Sequence, residues 1–190
     1  MGTSKLWWRQ VPIHLLFVGM LTACGAPGTP SQSVSGPDCR PEQVRDWPPP
    51  SQAPAAILTA PTFRHEALTG VLSWHSAGVG FDQEQPALTE NTIPRRKIAV
   101  GIPLKLELDG EYFVEWHLTA YRSEDFFSDD ASVEEFDWGE GSADPQLAFR
   151  RTCLMPPAAG DWILAARVTF ADQRGQGRYY WHLVVGGDSS

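Results

Sequence analysis

A chain of 190 residues with 42% hydrophobic side chains is long enough for one domain with a buried core. Its formal charge of −8 argues against nucleic acid or anionic lipid headgroups as direct partners.

Residues 1–23 read as an export signal. Lys5 and Arg9 form a short basic region. The mostly apolar run "VPIHLLFVGML" follows, too short to span a bilayer stably. It ends in Leu21-Thr22-Ala23-Cys24, which resembles the bacterial lipobox, where small residues precede the modified cysteine. The resemblance implies that Cys24 is lipidated and becomes the first mature residue. The protein would then be lipid-anchored at the cell membrane or outer membrane, on the extracytoplasmic side. Each buried CH₂ of an acyl chain contributes about 0.8 kcal/mol, so two or three chains anchor durably. Losing Lys5 and Arg9 leaves 13 basic residues against 23 acids, a balance of −10. Membrane contact is therefore expected through the lipid alone.

Residues 24–56 are rich in proline, serine and glycine and poor in apolar residues. Such a segment buries too little surface to offset its ordering entropy and reads as a tether. Cys39 and Trp47 are the exceptions, since both types prefer burial. With Cys24 lipidated, Cys39 and Cys153 remain, and two cysteines in an exported chain most simply pair. That bond would close a loop across most of the domain, worth about 4 to 5 kcal/mol in the loop-entropy model.

From Ile57 onward the periodicity is that of strands. Ile57–Phe63 and Leu68–His75 are weaker segments. "PLKLELDG" alternates Leu104, Leu106 and Leu108 against Lys105, Glu107 and Asp109, and Asp109-Gly110 is a hairpin signal into the next strand. "EYFVEWHLTAY" alternates Tyr112, Val114, Trp116, Leu118 and Ala120 against Phe113, Glu115, His117, Thr119 and Tyr121. "SEDFFSDDASVEEFDWGEGSAD" holds nine acids and no Lys or Arg. It is expected to be a solvated loop with Phe126, Phe127, Phe136 and Trp138 dipping back into the domain. Gln146–Met155 is another weaker strand. "DWILAARVTFA" places Trp162, Leu164, Ala166, Val168 and Phe170 on one face; "RYYWHLVV" does the same with Tyr179, Trp181, Leu183 and Val185. The glycine turn between them makes this the clearest hairpin. About seven short strands predict an all-β fold, an antiparallel β-sandwich over residues 57–186, with 187–190 as a disordered tail.

"MPPAAGDWILAARVTF", followed by a glycine turn and a last strand, resembles the end of bacterial immunoglobulin-like domains. The resemblance covers the chain from Met155 onward. It implies an immunoglobulin-like sandwich serving binding and envelope assembly, with no chemistry of its own.

Trp-His occurs at Trp74-His75, Trp116-His117 and Trp181-His182. Adjacent strand residues point to opposite faces, so each tryptophan should take the core and each histidine the outer face. In an immunoglobulin-like sheet the strands of His117, Arg167 and His182 lie side by side. His117 and His182 would then be about 9 to 10 Å apart, too far to share an ion. The same outer face would hold Phe113, Glu115, Tyr121, Arg167, Arg178 and Tyr180. Aromatics with arginine are the usual make-up of interface hot spots, so these eight residues form the candidate binding face.

No catalytic residues are expected: "GEGSAD" is not G-x-S-x-G, and no free cysteine remains once Cys39 and Cys153 pair. No cofactor or metal is expected either. The function read from these features is a non-catalytic binding or envelope-assembly module whose partner is an unidentified envelope protein or ligand. The alternatives are a metal-binding lipoprotein using His75, His117 and His182 or the acidic loop, and a small hydrolase.

Overall fold

The structure, a computed structural model, describes residues 39–48, 52–61, 63–76, 78–128 and 133–186. The expected signal peptide, the lipidation site Cys24, tether residues 24–38 and 49–51, residues 129–132 of the acidic stretch and the tail 187–190 lie outside the described residues.

The elements in chain order are β1 (Glu42–Val44), β2 (Ala56–Ala60), β3 (Phe63–Glu66), β4 (Leu68–Ser76), β5 (Val79–Gln83), β6 (Arg95–Ile98), β7 (Leu104–Leu108) and β8 (Phe113–Arg122). A single helical turn, α1 (Ser123–Phe126), precedes β9 (Glu135–Ser142), β10 (Ala148–Leu154), β11 (Gly160–Phe170) and β12 (Gly175–Val185). Hydrogen-bonded neighbours run β3-β2-β7-β10-β8-β11-β12-β4-β5. Pairing is antiparallel throughout except where β6 lies parallel to the end of β12.

This is one curled antiparallel sheet, and it turns its corner at β8. Only Phe113 of β8 pairs with β10, at Phe149, while the rest of β8 pairs with β9 and β11. The two halves then face each other. Leu58, Leu104 and Leu106 from one half share a buried cluster with Leu118, Leu164, Trp181 and Leu183 from the other. The all-β class is as expected, but the sheet has 12 strands rather than about seven. Most of the additional ones are short, and some, such as "RRKI" in β6, carry no alternation to detect.

The terminal hairpin follows its alternation. Trp162, Leu164, Ala166, Val168 and Phe170 of β11 all enter the main core, as do Tyr179, Trp181, Leu183 and Val185 of β12. In β8 the pattern breaks at its start. The β8–β11 ladder slips between Thr169 and Phe170, so Phe113 pairs with Phe170 while Glu115 pairs with Thr169. The extra residue turns Phe113 inward, 0% exposed, with its ring centroid 5.4 Å from that of Phe149. Phe113 therefore belongs to the core and not to the outer face.

Asp109-Gly110 does form a turn, with Gly110 at φ 72°, but β7 and β8 make no hairpin. Beyond one bridge between Leu108 and Glu111, the chain crosses from one half of the sheet to the other. Glu111 is buried at this crossing. Its side chain is 0% exposed and accepts from Arg174 Nε (3.0 Å) and Nη2 (2.7 Å), Trp74 Nε1 (3.1 Å) and the Tyr112 N–H (2.8 Å).

Cys39 and Cys153 form a disulfide, with Cα atoms 5.7 Å apart. Next to it β1 pairs with β10, and Trp47 lies 6.4 Å from Tyr112 while donating from Nε1 to Asp172 Oδ2 at 2.9 Å. Cys39, β1 and Trp47 thus already pack with the sheet, ahead of the boundary expected at Ile57. The disulfide, the β1 ladder and the Trp47 contacts hold a stretch whose composition reads as a tether.

Candidate binding face

Register places the outer-face residues of β9, β8, β11 and β12 in rows. One row is Ser142–Glu115–Thr169–Gln176, and the next is Glu140–His117–Arg167–Arg178. Two further rows are Asp137–Thr119–Ala165–Tyr180 and Glu135–Tyr121–Ile163–His182. The first two rows are open to solvent; in the last two the β11 and β12 members are roofed, while Asp137 and Glu135 of β9 stay exposed.

The roof is the acidic stretch and the loop before β6. Phe126 and Phe127, with Leu88, pack with Ile93, Ile163, Ala165 and Tyr180 in a second buried cluster. Tyr180 donates to Gln85 Oε1 at 3.3 Å. Tyr121 donates to Glu135 Oε1 at 3.2 Å, and burial, then the Glu135 carboxylate, raise its phenol above the ordinary value. His182 is 2% exposed, which corrects its expected place on the surface. Its Nε2 lies 2.7 Å from Asp161 Oδ1 and 3.2 Å from Ser123 Oγ, and the Phe127 ring centroid is 6.0 Å away. Arg95 holds the other oxygen of Asp161. Alternation predicts which face a strand residue takes. It says nothing about what later packs on that face.

Ser123, His182 and Asp161 are the residue types of a hydrolytic triad but not its geometry. In a triad the acid holds one ring nitrogen and the other takes the nucleophile's proton. Here both partners share Nε2, Nδ1 has no partner among the described residues, and Ser123 is buried. The trio pins α1 against β11 and β12.

The open rows border a shallow groove of ≈ 460 Å³ lined by Glu115, Trp116, His117, Glu140, Gly141, Ser142, Arg167 and Thr169. His117 Nε2 lies 3.4 Å from Asp137 Oδ1, and Thr169 donates to Glu115 Oε2 at 3.4 Å. Carboxylates on the β8–β9 side face guanidinium groups on the β11–β12 side. The groove therefore presents acceptors and donors side by side, suited to a polar ligand carrying both. Trp116 packs against the main core, as expected, and its indole crosses β9 where Gly139 and Gly141 leave room. A Cβ at position 141 would meet Trp116 Nε1 at 2.5 Å. The glycines of "WGEGS" were the one readable signal for this seat.

Of the eight expected face residues, Glu115, His117, Arg167 and Arg178 meet in the open rows. Tyr121, Tyr180 and His182 lie under or beside the roof, and Phe113 is in the core. The three tryptophan-linked histidines do not converge. His75 is exposed on β4, while His117 and His182 are offset by four ladder positions as well as two strands. No group of three His, Cys, Asp or Glu among the described residues is placed to hold a metal ion. The acidic stretch is not a loop but α1 and β9, joined by residues partly outside the described set. Its aromatics do turn inward as expected. Phe136 and Trp138 lie 5.6 and 6.3 Å from Trp162, and Trp138 Nε1 donates to the Met155 carbonyl at 2.6 Å.

Two buried polar groups carry no sequence signal. One is the Glu111–Arg174 pair, whose members stand in two separate turns. The other is His65, whose Nε2 sits 3.0 Å from the Pro94 carbonyl; burial foremost, with Arg96 nearby, holds its pKa below the ordinary value.

No known protein family and no curated protein matches the chain. Among solved structures it is similar to HiLPMO9B, with TM-score 0.39 and 12% identity over 63% of this chain and 79% of that one. A lytic polysaccharide monooxygenase of Jonesia denitrificans gives TM-score 0.29 and 18% identity over 49% and 58%. An engineered protein gives TM-score 0.29 and 10% identity over 50% and 18%. Likenesses at this level assign neither a family nor an activity.

Proposed function

We propose that the protein is a lipid-anchored extracytoplasmic module that binds an envelope partner without catalysis, on an immunoglobulin-like sandwich. The anchor rests on Leu21-Thr22-Ala23-Cys24, which resembles a lipobox. Export is supported by the Cys39–Cys153 disulfide, since such bonds persist in oxidising compartments. Binding rests on one observation above all. The outer face is roofed over part of its length, and the part left open gathers Glu115, His117, Glu140 and Arg167 around a groove, with Arg178 next to Arg167 in the same row.

A polar partner would be steered and oriented by those charges more than held by apolar burial. Ser123 and His182 are buried beneath the roof, so this pair offers no exposed nucleophile.

Two measurements test the parts separately. Cys24→Ser should abolish incorporation of labelled fatty acid and leave an unprocessed precursor; normal acylation would refute the anchor. Arg167→Glu should abolish retention of an envelope component by the full chain while leaving its melting temperature unchanged. Retention equal to wild type would refute the groove.

A further inference from the structure

Among the described residues, five strands have a neighbour on one side only: β1, β3, β5, β6 and β9. An open edge invites pairing with another chain, and proteins blunt edges with short strands, charges and bulges. Four of the five are blunted. β1 has three residues and a register shift. β3 has four, with Arg64 and Glu66 exposed. β6 exposes Arg95, Arg96 and Lys97, and β9 exposes Glu135, Asp137 and Glu140 and carries a register shift.

β5 is different. Val79-Gly80-Phe81-Asp82-Gln83 pairs with β4 in unbroken register and contains one charge. Val79 is 58% exposed and Phe81 42%, two of the four large exposed hydrophobic residues among those described. Both stand on the core-side face, since Phe81 opposes buried Trp74 and Val79 opposes buried Ser76.

The hydrogen-bonding phase of the edge is fixed. The His75 N–H donates to the Arg174 carbonyl on the β12 side at 3.0 Å. In an antiparallel ladder that leaves Leu72, Trp74 and Ser76 to address β5, at Gln83, Phe81 and Val79. The N–H and C=O groups of Gly80 and Asp82 consequently point away from β4, to the open edge.

The geometry points to a second copy of this chain as the occupant, with β5 pairing antiparallel to β5 about a two-fold axis at Phe81. In that register Gly80 opposes Asp82 of the second copy and the reverse, exchanging four hydrogen bonds. Phe81 opposes Phe81 of the second copy at a non-hydrogen-bonded position, where Cα atoms approach to about 4.5 Å and side chains are closest. Val79 opposes Gln83. The charge pattern is self-complementary. Each Asp82 faces a glycine, so no like charges oppose one another in a chain of charge −8. Among the described residues, no atom beyond the two chain neighbours lies within 4 Å of the position a Cβ would take at Gly80, which leaves the approach there open. A two-fold interface of this kind is the commonest closed assembly.

The test is a cysteine scan of the purified full chain. Phe81→Cys should oxidise to a covalent dimer, and mass mapping should find two copies of the peptide holding position 81 joined to each other. Val71→Cys, exposed on the opposite face of the hairpin, should stay unlinked. Adding Gly80→Pro to Phe81→Cys removes an edge donor without touching the β4 ladder and should abolish the link. Phe81→Lys, which sets two cations face to face, should sediment as a monomer at concentrations where wild type is dimeric, with its unfolding midpoint retained. Failure of Phe81→Cys to link, equal linking of Val71→Cys, linking that survives Gly80→Pro, or linking to a different protein would each overturn the proposal. So would a wild-type chain that sediments as a monomer throughout.

Discussion

Replacing Arg174 by methionine keeps most of the side-chain volume but strips Glu111 of two of its four donors. The carboxylate would keep Trp74 Nε1 at 3.1 Å and the Tyr112 N–H at 2.8 Å, and lose the guanidinium contacts at 3.0 and 2.7 Å. Because the Glu111 side chain is fully buried, its charge cannot turn to water. Breaking a buried pair from one side costs about 3 to 5 kcal/mol, most of it the stranded charge. A domain of this size has about 5 to 15 kcal/mol in all. With a urea slope of about 2 kcal/mol per molar, the midpoint should fall by about 2 M. Adding Glu111→Gln removes the stranded charge, so the double variant should recover part of the loss. Urea unfolding followed by tryptophan fluorescence measures both. A midpoint shift below about 0.5 M for Arg174→Met, or a double variant weaker than the sum of the singles, would refute the role given to this pair.

His65 is kept neutral by burial, with its pKa below the ordinary value. The unfolded chain therefore takes the proton first as pH falls below about 6.5, so stability should decline from there downward, and His65→Gln should flatten that slope in denaturant titrations between about pH 5 and 7. Reducing the Cys39–Cys153 bond, which spans 114 residues, should cost about 4 to 5 kcal/mol and lower the melting temperature measured by calorimetry. The Trp-His histidines should separate sharply by urea midpoint: His117→Ala within about 0.5 kcal/mol of wild type, but His182→Ala losing about 2 to 3 kcal/mol because Asp161 and Ser123 lose a buried partner.

Period-2 patterning was enough to read the terminal hairpin residue by residue, because β11 and β12 run through the middle of the sheet and burial enforces the alternation. The same logic failed at Phe113, where one inserted residue in the ladder reverses the faces, and bulges leave no mark on hydrophobic pattern. His182 shows a different limit. Its face was read correctly as opposite Trp181, yet Phe127 and Ser123 cover it from a stretch whose aromatics were expected to turn inward with nothing to say where they land. The short edge strands escaped notice because three to five residues hold too few alternations. Glu111 and Arg174 were hidden for a related reason: nothing in a turn sequence announces a partner on the far side of the core. Of the candidate face, the charged residues were legible from alternation alone, and the roof that divides it was not.

The open rows around Arg167 are proposed as the place where this protein meets its partner. A photoreactive amino acid at Thr169, within the groove, and another at Thr59, which pairs with Lys105 in the other half of the sheet, test it in intact cells. A discrete adduct with an envelope component is expected from position 169 and none from position 59. Adducts from position 59 alone, or the same adducts from both, would contradict the proposal.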